Sequence, residues 1–286
     1  MEAESFNLKG GGKFHASCSE IMLPIKVNDY FRKNKKIYVQ LDLGTGGTLL
    51  LYDNSFFPLL KRNLAIDTSH ILKWSITVAK VKRKIGGQIA GEPFALDSFY
   101  IVKNMGGLSL LGYSVLGTVG LDFFRNKVLV LDYIHNRFLI TNKFDSLPVE
   151  WRNKTLYESL KFYHGHCSVP IQIGDTTLSN GFLDTGSGLF DLLVSSQKLW
   201  ERLTGRKVNA PDNEYINAGY AWGKEIKNIG ANMKNDTLKI SNYSISSPTI
   251  WYWENDSSDD IIFGNNPFAG KGIVIYDLIN NKFAAF

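Results

Sequence analysis

The chain has 286 residues, of which 44% are hydrophobic, 13% aromatic and 21% charged. This composition excludes a disordered polypeptide, a collagen and a coiled coil, and the length suffices for two domains. The net charge of +5 comes from scattered Lys and Arg residues without a nucleic-acid-binding module, so we expect no nucleic-acid partner. The longest apolar runs have strand length, which predicts no membrane span.

In chain order, the predicted elements occur twice. A proline-containing strand at 23–27 precedes an apolar strand that ends in an acidic turn at Asp42. The second half repeats this order, with a proline-containing strand at 169–173 and an acidic turn at Asp184. We therefore treat Asp42 and Asp184 as equivalent positions in a duplicated chain.

Each half then continues with an apolar pair that ends in glycine. Gly120 follows Asp42 by 78 residues, and Gly264 follows Asp184 by 80. Both halves close with an apolar strand, an Asp and an Asn-containing hairpin turn. The same features in the same order predict two homologous lobes, at residues 1–145 and 146–286.

Short β-branched and aromatic runs between Gly, Asn and Asp residues predict an all-β protein with few helices. The clearest helix is predicted over 195–205, where a Ser cap precedes apolar positions and a glycine follows them. Its counterpart in the first half, at 54–63, is less regular and contains Pro58.

The two acidic turns suggest a chemistry. If the lobes pack about a pseudo-twofold axis, the turns meet and bring the carboxyls of Asp42 and Asp184 together. Two carboxyls at about 3 Å share a proton, so one acts as base and the other as acid on a water molecule. Such a pair can hydrolyse an amide without a covalent intermediate.

Four further residues in the turns are expected to support this dyad. The hydroxyls of Thr45 and Ser187 can donate to the outer carboxylate oxygens and orient them. Glycine at positions 44 and 186 allows the two turns to approach each other closely. An Asp-x-Gly turn alone is usually structural, but this one occurs twice, each time after an apolar strand.

The segment Asp184-Thr185-Gly186-Ser187 resembles the signature of aspartic peptidases, and the segments at 119–122 and 263–265 resemble the apolar-Gly segment of pepsin-like and retropepsin-like lobes. The resemblance covers about 23–286 and is more specific in the second half. It implies a bilobal acid-protease fold of two β-barrel-like, retropepsin-like lobes, with one catalytic Asp from each lobe and a hairpin flap. It further implies an endopeptidase acting on peptides or proteins, with no cofactor or metal.

One position departs from that pattern. The threonine that follows the catalytic Asp is present as Thr185 but is replaced by Leu43 in the first half. Leucine has no hydroxyl for the hydrogen bond that this threonine makes to the other lobe. Two interpretations follow: an active endopeptidase, or a weakly active or inactive peptide-binding protein on the same fold.

Two segments are candidate flaps. One spans 74–91, with a turn expected at 82–87, and the other spans 215–232, with its tip at 219–223. Tyr220 or Trp222 at the second tip could cover a bound peptide, or these aromatics could simply pack on the hairpin.

Other chemistry has little support in the sequence. The cluster His164-Gly165-His166-Cys167 lacks further metal ligands nearby, and neither a nucleophile elbow nor a phosphate loop is present. Cys18 and Cys167 are the only cysteines, and whether they form a disulfide is open. The family resemblance and a possible disulfide suggest an extracytoplasmic location, and two lobes in one chain make a monomer sufficient.

Overall fold

The computed structural model describes most of the chain and extends to the last residue. The described residues are 11–13, 15–17, 20–27, 37–57, 66–71, 76–103, 105, 109–110, 113–153, 157–163, 165–188, 190–221, 224–233, 236–253 and 261–286.

The protein is mostly β, as the sequence predicts. The strands are β1 (Gly11–Lys13), β2 (His15–Ser17), β3 (Glu20–Val27), β4 (Ile37–Leu41), β5 (Leu49–Tyr52), β6 (Ile66–Ile71), β7 (Ile76–Ile89), β8 (Glu92–Val102), β9 (Ser109–Leu110), β10 (Tyr113–Val119), β11 (Val128–Asp132), β12 (Arg137–Thr141), β13 (Glu158–Ser159), β14 (Lys161–Tyr163), β15 (His166–Ile173), β16 (Thr176–Leu183), β17 (Leu192–Val194), β18 (Glu214–Ala221), β19 (Lys224–Asn232), β20 (Thr237–Ile240), β21 (Tyr243–Ser246), β22 (Thr249–Trp253), β23 (Ile261–Phe263), β24 (Ile273–Asp277) and β25 (Lys282–Ala285).

The helices are short. They are α1 (Asp53–Phe56), α2 (Leu121–Phe124), α3 (Val149–Asn153) and α4 (Gln197–Thr204), with 3₁₀ turns at Phe144–Ser146 and Asn266–Phe268. The predicted helix at 195–205 is confirmed as α4, where the Ser196 hydroxyl accepts a hydrogen bond from the Leu199 amide and Gly205 ends the helix at φ 66°. Within the described residues, no helix is long and apolar enough to cross a bilayer.

The two lobes have the same strand topology around their acidic turns. In the first, β4 and β10 are parallel and pair Leu41 with Val119, while β5 runs antiparallel on the other side of β10. In the second, β16 and β23 are parallel and pair Leu183 with Phe263, while β17 runs antiparallel on the other side of β23. The predicted duplication is therefore visible in the hydrogen-bonding register.

The lobes differ in closure. In the first lobe, β3 pairs with β7 as well as with β4, so β3, β4, β10, β5, β8 and β7 form a closed six-stranded barrel. Gly87 lies at this junction, where an added Cβ would be 2.1 Å from the Lys26 carbonyl oxygen. The described strands of the second lobe form an open path from β18 to β21.

A central six-stranded sheet joins the lobes. Strands β11 and β24 pair antiparallel over five residue pairs, with Val130 opposite Ile275. All five residues of β11 are buried, as expected when both faces of a strand are covered. The connection between the lobes covers one face, with Leu147 and Trp151 packed on the sheet.

The predicted closing hairpins are present in both halves. Asn136 and Asn281 adopt φ values of 52° and 55°, which asparagine tolerates better than most residues. The buried carboxylates of Asp132 and Asp277 accept hydrogen bonds from backbone amides in their own turns, at His135 and Asn280 respectively.

Candidate active site

The acidic turns are held in the same way in both lobes. The Asp42 amide donates to the Val119 carbonyl oxygen and the Asp184 amide donates to that of Phe263, both at 3.0 Å. The carbonyl oxygens of the two aspartates accept from the amides of Thr45 and Ser187, both at 3.1 Å. Each Asp is therefore fixed at the end of a core strand by its own turn and by the neighbouring parallel strand.

The glycine that follows each acidic turn at a similar distance along the chain is required for steric reasons. An added Cβ at Gly120 would lie 2.2 Å from the Gly47 carbonyl oxygen, and one at Gly264 would lie 2.3 Å from that of Ser187. Because no side chain fits at either place, each acidic turn can close over the strand end beside it.

The two turns meet across the lobe boundary. An added Cβ at Gly44 would lie 2.5 Å from Asp184 Oδ1, and one at Gly186 would lie 2.7 Å from Asp42 Cγ. Each glycine therefore lies directly against the opposite carboxyl, and the carboxyls of Asp42 and Asp184 share a hydrogen bond. Both aspartates are half-buried.

This arrangement separates the proton affinities of the two carboxyls. Burial, followed by the negative charge of Asp42, raises the pKa of Asp184 well above its ordinary value of 3.8. Burial also raises the pKa of Asp42, but hydrogen bonds from Thr45 and Asp184 oppose this effect. Both shifts favour one proton held between the two carboxyls, and a singly protonated pair can supply a base and an acid together.

The four turn residues expected to support the dyad, Gly44, Thr45, Gly186 and Ser187, all bond to a carboxyl. The Thr45 hydroxyl donates to Asp42 Oδ2 at 2.7 Å, and the Gly186 amide donates to Asp184 Oδ1 at 2.8 Å. Ser187 was expected to act through its hydroxyl, and its described bond to the Asp184 carboxyl comes from its backbone amide. Asp42 likewise accepts from the backbone amides of Gly44 and Thr45, so both carboxyls are held by equivalent amides, and the described difference is the Thr45 hydroxyl at Asp42.

Of the two hydroxyl bonds expected to cross between the lobes, the one from Thr185 is present. The Thr185 hydroxyl crosses to the first lobe, where it accepts a hydrogen bond from the Leu43 amide at 2.8 Å and donates one to the Leu41 carbonyl oxygen at 3.1 Å. The Leu43 side chain is fully buried in the main hydrophobic core. Leucine removes the hydroxyl of the first lobe, but its backbone still takes part in the crossing bond.

Sequence reasoning missed three residues near the dyad. Gln40 Nε2 donates to the Gly186 carbonyl oxygen at 3.4 Å, Asn265 Nδ2 donates to that of Thr185 at 2.6 Å, and the Tyr133 hydroxyl donates to Asn265 Oδ1 at 2.6 Å. The two equivalent glycines are followed by Leu121 in the first half and by Asn265 in the second. This difference was the signal in the sequence that could have pointed to Asn265.

One predicted hairpin is corrected and the other is present. Residues 82–87, expected to form a turn, lie within the continuous strand β7, and the chain turns at Ala90 and Gly91 instead. The hairpin predicted at 215–232 is formed by β18 and β19. The backbone of Tyr220 lies in β18, whereas Trp222 lies outside the described residues.

In the cluster at 164–167, the two described side chains of His166 and Cys167 have separate surroundings. Cys167 is a buried free cysteine in the core, and burial raises the pKa of its thiol to about 12. The His166 ring packs on Phe182 with centroids 4.9 Å apart, and Cys18 and His164 lie outside the described residues. In the part of the chain that the structure describes, no three His, Cys, Asp or Glu residues are grouped to hold a metal ion.

Comparison of the sequence with protein-family models gives no match, and comparison with curated proteins gives none either.

Proposed function

We propose that the protein is an aspartic endopeptidase that hydrolyses peptide bonds with water activated by Asp42 and Asp184. The observation that carries the proposal is the reciprocal contact of each carboxyl with the glycine of the opposite turn. Two acids from different lobes lie against each other there, and both are only half-buried, which supports a role in chemistry with water.

The reaction follows from the protonation of the pair. Asp42 accepts a proton from water as the water oxygen attacks the peptide carbonyl carbon, while Asp184 donates its proton to the carbonyl oxygen. The resulting tetrahedral diol collapses as the C–N bond breaks, one hydroxyl proton returns to the dyad, and the dyad protonates the leaving amine. The proton count of the dyad is then restored.

The substrate class is an extended peptide or an unfolded protein segment. Such a chain can form main-chain hydrogen bonds along a cleft while its side chains enter separate pockets. The hairpin of β18 and β19 in the second lobe is the proposed cover for a peptide bound at the dyad.

The test is cleavage of a mixed peptide library from about pH 3 to about pH 8, with and without a statine-type inhibitor. Wild type is expected to cleave, and Asp42→Asn, Asp184→Asn and the inhibitor are each expected to abolish cleavage. Asp122→Asn is the matched control, because Asp122 is an exposed carboxylate paired with Arg125 outside the dyad. Binding of peptides by wild type without cleavage at any pH would instead favour a peptide-binding protein.

A further inference from the structure

The two halves differ at three equivalent positions around the dyad. The residue after the Asp is Leu43 in the first half and Thr185 in the second. After Gly120 the first half has Leu121, whereas after Gly264 the second half has Asn265. After the buried Asp of the central sheet, the first half has Tyr133 and the second has Leu278. The first half therefore contributes one polar side chain and the second half two.

These three polar side chains form one hydrogen-bonded chain. The Tyr133 hydroxyl donates to Asn265 Oδ1 at 2.6 Å, and Asn265 Nδ2 donates to the Thr185 carbonyl oxygen at 2.6 Å. The Thr185 hydroxyl then bonds to the backbone of Leu41 and Leu43. The chain leaves the first lobe at Tyr133 and returns to it at Leu41 and Leu43, so it crosses the lobe boundary twice.

The surroundings hold this chain rigidly. Tyr133 and Asn265 are each 1% exposed and Thr185 is 0% exposed, so water does not compete for these bonds. The backbone amide of Asn265 donates to the Ser187 carbonyl oxygen at 3.0 Å. The Tyr133 ring stacks on the Phe268 ring, with centroids 5.8 Å apart. In the Asn265 side chain, Oδ1 accepts from Tyr133 and Nδ2 donates to Thr185, so both polar atoms have a partner.

We propose that Tyr133 and Asn265 are positioning residues that fix the turn of Asp184 against the first lobe, in place of the hydroxyl that Leu43 lacks. The Thr185 carbonyl is one residue from Asp184, so holding it sets the position of the carboxyl relative to Asp42. This inference rests on the proposed function for its consequence in catalysis, but the geometry of the dyad can be tested without turnover.

The first test removes single groups from the chain. Tyr133→Phe deletes only the hydroxyl, and Asn265→Leu introduces the residue of the first half. The control is Tyr243→Phe, because Tyr243 also packs on Phe268 but donates its hydroxyl bond to the Pro267 carbonyl oxygen, outside the chain. We expect kcat to fall about five- to tenfold for Tyr133→Phe and at least as much for Asn265→Leu, with KM within about twofold. Tyr243→Phe should leave both unchanged.

The second readout is titration of the dyad by carboxyl-carbon NMR. If the turn of Asp184 loosens, the carboxyls separate, and the higher apparent pKa of the pair moves down towards the ordinary value. Tyr133→Phe and Asn265→Leu should show this shift, and Tyr243→Phe should not. Adding Leu43→Thr to Tyr133→Phe should recover most of the lost kcat and reverse the shift, because a threonine can form the missing crossing bond.

The outcomes separate this inference from the proposed function. A wild type that does not cleave, but whose dyad titration responds to Tyr133→Phe and recovers with Leu43→Thr, overturns the proposed function and supports the positioning role. A wild type that cleaves, with kcat and titration unaffected by Tyr133→Phe and Asn265→Leu, overturns the positioning role. Equal effects of Tyr133→Phe and Tyr243→Phe also overturn it.

Discussion

Gly44 and Asp184 lie against each other across the boundary between the lobes, so closely that a Cβ at position 44 would be 2.5 Å from Asp184 Oδ1. The nearest atoms are those of the Asp184 carboxyl and not those of the hydrophobic core. Space for a side chain at position 44 is therefore limited by a carboxyl of the opposite lobe.

We expect Gly44→Ala to abolish peptide hydrolysis while leaving the protein folded. The added methyl group must displace the Asp184 carboxyl from Asp42, because Cβ atoms do not approach an oxygen to 2.5 Å. Activity assays and circular dichroism at equal protein concentration measure the two effects. Gly46→Ala is the control, since its Cβ would lie 3.3 Å from the nearest atom, the Gly165 carbonyl oxygen. Full activity of Gly44→Ala would contradict the close contact of the turns.

Replacing Asp184 by asparagine should stabilise the protein at neutral pH. The raised pKa of Asp184 means that the native state binds its proton more tightly than the unfolded state does. Stability is thus fully present below the ordinary value of 3.8 and falls as the pH rises towards the raised native pKa. Asparagine is neutral at all pH values and avoids this loss.

Thermal unfolding of wild type and Asp184→Asn across this pH range measures the effect. The variant should unfold at a higher temperature than wild type at pH 7, and the difference should vanish near pH 3. Asp122→Asn, which changes an exposed carboxylate, should show no such gain. A variant that is less stable than wild type at pH 7 would contradict the raised pKa of Asp184.

We expect Thr185→Val to lower the free energy of unfolding by about 1–3 kcal/mol and to reduce hydrolysis. Valine keeps the shape of threonine but leaves the Leu43 amide and the Leu41 carbonyl without their hydroxyl partner in a buried place. Thr185→Ser retains the hydroxyl and should keep most of the activity. Urea unfolding with unchanged m-values and initial-rate measurements on both variants provide the comparison. Equal stability and equal activity of Thr185→Ser and Thr185→Val would show that the hydroxyl bond between the lobes contributes to neither.

The Cys167 thiol should be unreactive in the native protein. It is fully buried and its pKa is about 12, so the reactive thiolate is scarce at neutral pH. In a Cys18→Ser variant, a disulfide-exchange reagent at about pH 8 should react slowly until urea unfolds the chain, and then rapidly. Rapid reaction of the folded variant would show that Cys167 is reached by solvent.

The β architecture and the equivalent positions of Asp42 and Asp184 at strand ends could be predicted from the sequence, because each depends on a local pattern that occurs twice. The asparagines at 136 and 281 and the glycine at 205 occupy left-handed positions, which their residue types favour. These features require no knowledge of how distant parts of the chain meet.

Contacts between distant segments were not predictable in the same way. A turn was expected at 82–87, but Gly87 is a strand residue whose missing side chain lets β3 pass close to β7. The actual turn places Ala90 at a φ of 52°, which alanine rarely adopts, so its residue type gives no indication. The bonds of Tyr133 and Asn265 likewise depend on residues 132 positions apart.

The single threonine whose hydroxyl crosses between the lobes, Thr185, also shows what covalent linkage of the lobes permits. In a symmetric dimer of identical subunits, any substitution next to the catalytic Asp appears on both sides of the axis at once. A leucine there would remove both crossing hydroxyls together. In this chain the two sides mutate independently, so Leu43 can fill the core of one lobe while Thr185 maintains the connection from the other.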